Sequence, residues 1–176
     1  SSDSIINPAY FYGFFPHNDA DGYCDCGAPS SEWVYSKKVV QLNIYFIPKV
    51  LNSMGTQVCG TATLPSSNNT NRRILMANSC AINGSTLSHE MGHFFGLLHT
   101  HSNTGGLEYV KRVNCNSRGD GFCDTPADPE LNASNVSNCS YFGNASDPQG
   151  DKYLPDPSNF MSYAPKSCRS NFTNQQ

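Results

Sequence analysis

Charge is scarce in this sequence: Asp, Glu, Lys and Arg make up 14% of it, and the formal net charge is −3. No cluster of Lys and Arg is available to track a phosphate backbone or an anionic bilayer, so neither nucleic acid nor a membrane surface is an expected partner. No apolar run approaches the ~20 residues that a membrane-spanning helix needs. Paired Cys-x-x-Cys spacings are missing as well; Cys24 and Cys26 form only Cys-x-Cys, which argues against a zinc ribbon. No signal peptide stands at Ser1, which leads us to expect a mature or trimmed product.

Cysteine itself is abundant. There are 8, an even number, and disulfides are the default reading, which places the chain in an oxidising, extracellular setting. Sequence alone does not choose among the many pairings. Cys59–Cys80 is the expected local loop, and Cys115, Cys123, Cys139 and Cys168 are expected to pair among themselves. The 176 residues suffice for a sizeable core, and we expect a single domain over 1–176, trimmed at both ends. Asn-x-Ser/Thr triplets such as those at Asn68 and Asn144 are read as accidents of an Asn- and Ser-rich chain.

Three stretches read as strands. Val39–Ile47 is β-branched and aromatic and ends before Pro48; Gly60–Leu64 ends before Pro65; Arg73–Ala77 is the third. Residues 1–36 read as irregular, with a short strand near Tyr10–Phe15 and a turn over His17–Gly22. Ser66–Asn71 is a polar loop. Asn83, Gly84 and Ser85 offer helix-start chemistry for a helix running to about Gly96. From Thr100 to Pro157 there is little periodicity, and so long a loop needs an ordering device, disulfides first.

Residues 89 to 99 read His-Glu-Met-Gly-His-Phe-Phe-Gly-Leu-Leu-His. On a helix His89 and His93 project from one face. Two imidazoles there can hold one Zn²⁺ at about 2.0–2.1 Å. Glu90 follows the first ligand and can reach a water at the metal without becoming a ligand itself. Gly96 can take the positive φ that turns the chain back so that His99 becomes the third ligand. An ordinary amphipathic helix would account for Phe94, Phe95, Leu97 and Leu98. It would not account for three of the 5 histidines gathering around one Glu.

With Asn159-Phe160-Met161-Ser162-Tyr163 as a Met-containing turn, this pattern resembles the metzincin metalloproteases. Gly92 within the motif, the stretch Gly119-Asp120 to Asp124-Thr125-Pro126, and Met-Ser-Tyr are similar to the pappalysin family, over about Leu42 to Phe172. The resemblance implies an α+β, zincin-like fold: a twisted, mainly parallel sheet plus the active-site helix above, and a loop-rich, disulfide-stapled part below. It implies zinc on His89, His93 and His99, Glu90 as general base and then acid, Met161 as a hydrophobic floor, and Tyr163 as a hydrogen-bond donor to the oxyanion. Tyr163 packed in the core is the other reading. A structural Ca²⁺ would draw on Asp120, Asp124 and Asp128, which could equally cap turns. His101 is read as a loop residue. Lys166 falls where metzincins border the first primed-side pocket, where it would disfavour a basic substrate side chain, or else be a solvated loop lysine.

The function expected is a secreted zinc endopeptidase acting on protein or peptide substrates. A non-catalytic secreted binding module with a structural zinc site is the alternative, and a hydrolase of small amides or esters a third. Glu90 separates the first two, because a structural site has no use for a base beside its ligands.

Overall fold

Residues 73–77, Arg-Ile-Leu-Met-Ala, alternate in a way that buries one face, and they form the central strand of the main sheet. The computed structural model describes residues 42–65, 72–82 and 84–176, within the unit Leu42–Gln176. The expected features at Tyr10–Phe15, His17–Gly22, Ser66–Asn71 and the pair Cys24 and Cys26 lie outside the described residues.

Strands β1 (Asn43–Ile47), β4 (Gly60–Ala62) and β5 (Arg73–Ala77) make a three-stranded sheet in the order β1-β5-β4. β1 runs parallel to β5, with Ile44 opposite Ile74, whereas β4 is antiparallel, with Gly60 opposite Met76. Among the described residues the sheet is therefore mixed, and the expectation of a mainly parallel one is met only in part. The connections account for this. A short link, 63–72, joins β4 to β5, as antiparallel neighbours permit, while the parallel pair has all of 48–72 between its members. That longer stretch also holds a small ribbon of β2 (Val50–Leu51) and β3 (Gln57–Val58).

Among the described residues one α-helix, α1 (Gly84–Phe95), lies on this sheet. Leu87, Met91 and Phe94 follow one another at helical spacing and pack on Ile74 and Met76 of β5, with Ile44 and Ala62 alongside. Ile74, Met76 and Phe94 are at most 3% exposed, each contributing about 1.5–3 kcal/mol of burial. That face commits the helix to the sheet and leaves His89, Glu90 and His93 on another.

Past α1 the chain has little regular structure, as its composition predicts. A hairpin of β6 (Val136–Ser137) and β7 (Ser140–Tyr141), not foreseen from the sequence, seats Val136 in a second core with Leu131, Ala164 and Cys168. Disulfides join Cys59 to Cys80, Cys115 to Cys123 and Cys139 to Cys168, within the groupings expected. Carboxylates supply the remaining order by closing turns. Asp147 accepts from the backbone N–H groups of Val110, Gln149 and Asp151, and Asp128 from Leu131 N–H and the Thr100 hydroxyl.

Serine replacements test the staples. Removing Cys139–Cys168, whose ends are 29 residues apart, should cost about 3–4 kcal/mol, against about 2–3 kcal/mol for Cys115–Cys123, 8 apart. Urea titrations of the two double variants measure the difference, and the reverse order would contradict the loop-entropy argument.

Candidate metal centre

The end of α1 is where local sequence builds the site. Gly96 has φ +106°, a conformation costly for residues with a Cβ. Its N–H donates to His93 O at 3.0 Å, and Leu97 N–H donates to Gly92 O at 2.9 Å. These two bonds form a Schellman turn, which satisfies the last helical carbonyls and reverses the chain. Three residues later His99 faces the helix it has just left.

The three Nε2 atoms converge. His89 to His93 is 3.2 Å, His89 to His99 is 3.2 Å, and His93 to His99 is 2.9 Å. A tetrahedral Zn²⁺ with ~2.0–2.1 Å arms would set its donors ~3.3 Å apart, so the triangle is close to the size the ion requires. The Nδ1 atoms show how the rings are poised. His89 Nδ1 lies 2.6 Å from Phe160 O, and His93 Nδ1 lies 2.8 Å from Leu97 O. A carbonyl only accepts, so each Nδ1 carries the proton and each Nε2 presents a lone pair. The contact between those two Nε2 atoms is thus a meeting of lone pairs, which a cation relieves. Burial pushes all three imidazoles below their ordinary pKa, His89 to about 4, so they are neutral at pH 7, as metal ligands must be.

Among the described residues, these histidines are the group of three or more potential donors that comes together. Asp120, Asp124 and Asp128 do not form one. Each instead accepts hydrogen bonds: Asp120 from Phe122 N–H, Asp124 from the Thr173 hydroxyl and Gln175 N–H, and Asp128 as described above. Asp120 and Asp128 thus cap turns, Asp124 ties in residues 173 and 175, and nothing among the described residues supports the calcium reading.

Met161 is fully buried, and its sulfur packs on α1 at Gly92, where a Cβ would overlap it. The segment around Met161 is itself pinned. Asn159, also fully buried, accepts from Met161 N–H at 2.8 Å, Phe160 N–H donates to Asn171 O at 2.7 Å, and Thr100 N–H donates to Met161 O at 3.2 Å. Phe160, whose carbonyl orients His89, is thereby fixed on both sides.

A cleft of about 690 Å³ opens over the histidines and is also lined by Glu90, Tyr163, Lys166 and Arg169. Burial raises the Glu90 carboxyl to about 7, opposed by Arg169 first and Lys166 second. Tyr163 is 45% exposed at the rim, with its ring 4.5 Å from that of His99 and 4.4 Å from that of His101. His101 is more than a loop residue, since its ring stacks on His99 at 4.9 Å with only 7° between the planes. Arg169 went unnoticed in the sequence. Its Nη1 lies 3.4 Å from His89 Nδ1 and donates to Ser162 O at 3.3 Å. No local spacing signals it, because its partners come from α1 and from the segment after Met161.

Gly92→Ala should cost about 1–3 kcal/mol by forcing Met161 away from the helix. Thermal denaturation would show this, with zinc affinity falling alongside as the Phe160 carbonyl shifts. An unchanged midpoint would refute the packing argument.

Residues 30–176 match the model of the M43 peptidase family, described as pregnancy-associated plasma protein-A. Among curated relatives, the extracellular metalloprotease of Arthroderma benhamiae is 28% identical over 146 residues, covering 75% of this chain and 43% of that protein. That of Arthroderma gypseum is 27% identical over 187 aligned residues, covering 98% and 54%. One from Colletotrichum graminicola is 35% identical over 123 residues, covering 66% and 33%. The chain thus spans about half or less of the length of these relatives. The match over most of its length shows that this chain belongs to the M43, or pappalysin, family of peptidases.

Proposed function

We propose that this chain is the catalytic part of a secreted zinc endopeptidase. The observation that carries the reading is the convergence of three Nε2 atoms beside a carboxylate in one cleft. A Zn²⁺ held by His89, His93 and His99 would supply Lewis acidity, making a water nucleophilic near neutrality and drawing electron density from a peptide carbonyl. Glu90 lines the cleft and is not one of the converging donors, so its carboxylate is left to take the proton of the attacking water and pass it to the leaving amine. The Tyr163 hydroxyl would donate a hydrogen bond to the oxyanion, a role supported by its ring lying at the rim beside His99. Phe160 O and Leu97 O hold two of the imidazoles in the tautomer that points Nε2 inward. Disulfides and relatives named extracellular metalloproteases support secretion and a protein or peptide substrate. We take 1–176 as one catalytic unit, with the site carried by Leu42–Gln176. A structural zinc site would leave the Glu90 carboxylate without a task, which disfavours the binding-module reading.

Zinc-loaded protein should cleave casein or an unfolded protein, and a chelator should stop it. Glu90→Gln should keep one zinc per chain while activity falls at least ~10²-fold, as for loss of a general base. Substantial residual turnover would remove Glu90 from this role. Tyr163→Phe should lower kcat by about 10–100-fold with little change in KM, as for one lost oxyanion donor in a partly exposed position. Steady-state kinetics on a single peptide distinguish the two variants.

A further inference from the structure

Two cations, Lys166 and Arg169, line the same cleft as the single carboxylate of Glu90 among the described residues. The Lys166 ammonium lies 2.6 Å from Cys59 Sγ and 3.7 Å from Cys80 Sγ. Disulfide sulfurs are weak acceptors and carry no charge to offset it. Arg169 donates through Nη1 to the Ser162 carbonyl, while its Nε is buried with no acceptor. Neither residue forms an ion pair among the described residues. Among the described residues, no carboxylate other than Glu90 lines the cleft.

Arg169 lines the cleft with a planar guanidinium, and Lys166 adds a flexible point charge. Together they suit a carboxylate, which can accept from both at once. A basic side chain entering here would meet two like charges. The cleft volume lies within the ~300–1,000 Å³ typical of ligand sites, room enough for a side chain beside the scissile bond.

We propose that Lys166 and Arg169 form an anion-accepting subsite that selects substrates carrying an Asp or Glu side chain next to the cleaved peptide bond. The proposal rests on the peptidase reading above, and its tests separate the two. In a peptide library digested by the zinc-loaded protein and read by mass spectrometry, Asp and Glu should be enriched at one position flanking the bond. Lys166→Glu should lower the ratio of kcat/KM for an acidic peptide over its Gln-matched counterpart by about tenfold or more. Lys166→Arg should retain the preference. A second readout needs no turnover. Zinc-loaded Glu90→Gln protein should bind a fluorescein-labelled acidic peptide about tenfold more tightly than the Gln-matched peptide, with the gap narrowing as salt rises. Cleavage without acidic enrichment, or an unchanged ratio in Lys166→Glu, overturns the subsite. Equal binding of the two peptides also overturns it. A binding preference in a protein that cleaves nothing would support the subsite and reject the peptidase reading.

Discussion

Three imidazole Nε2 atoms converge here at 2.9–3.2 Å, with the lone pairs of His89 and His93 turned toward one another. Much of the described structure serves to hold that arrangement. The sheet fixes α1 through Leu87, Met91 and Phe94, the Schellman turn at Gly96 brings His99 round, and the buried segment at Met161 closes the far side. A cation at this point would relieve the repulsion between those lone pairs, so metal binding would favour the folded arrangement. The low basicity of the three rings favours the same result, because protons compete poorly for these nitrogens near neutrality.

A helix of 12 residues performs two tasks without conflict because its faces are separate. Apolar side chains at 87, 91 and 94 bind it to β5, while 89, 90 and 93 face the cleft. Gly92 belongs to neither face. It is the point of close approach, where the absence of a side chain lets Met161 lie against the helix backbone. Two otherwise distant parts of the chain are brought into register there.

Legibility from the sequence followed the range of the interactions. The histidines, Glu90 and the turn at Gly96 lie within eleven positions, so helical periodicity and the chemistry of glycine were enough to find them. Arg73–Ala77 matched its strand to the residue, since alternation in a strand buried on one face is also a local signal. The reversed direction of β4 and the β6–β7 hairpin were not legible, because pairing direction and register depend on residues far apart. The same holds for the Phe160 carbonyl, 71 positions from the imidazole it orients, and for Arg169, 80 positions from His89. The aspartates of the long loop were ambiguous in sequence because capping and calcium binding use the same carboxylate oxygens. Their hydrogen bonds show turn capping at Asp120 and Asp128 and a long-range tie to Thr173 at Asp124.

His89 receives its instructions from the backbone immediately before Met161. A carbonyl accepts from whichever nitrogen faces it, so the peptide at Phe160 decides where the imidazole proton resides. A slip of that segment by a single residue would replace the acceptor with another group and release the proton to the other nitrogen. Misplacement of the loop would then appear as a change of tautomer, and the inward nitrogen would turn from acceptor into donor without moving. Positional accuracy in one strand of loop is converted into the protonation state of a side chain on a different element.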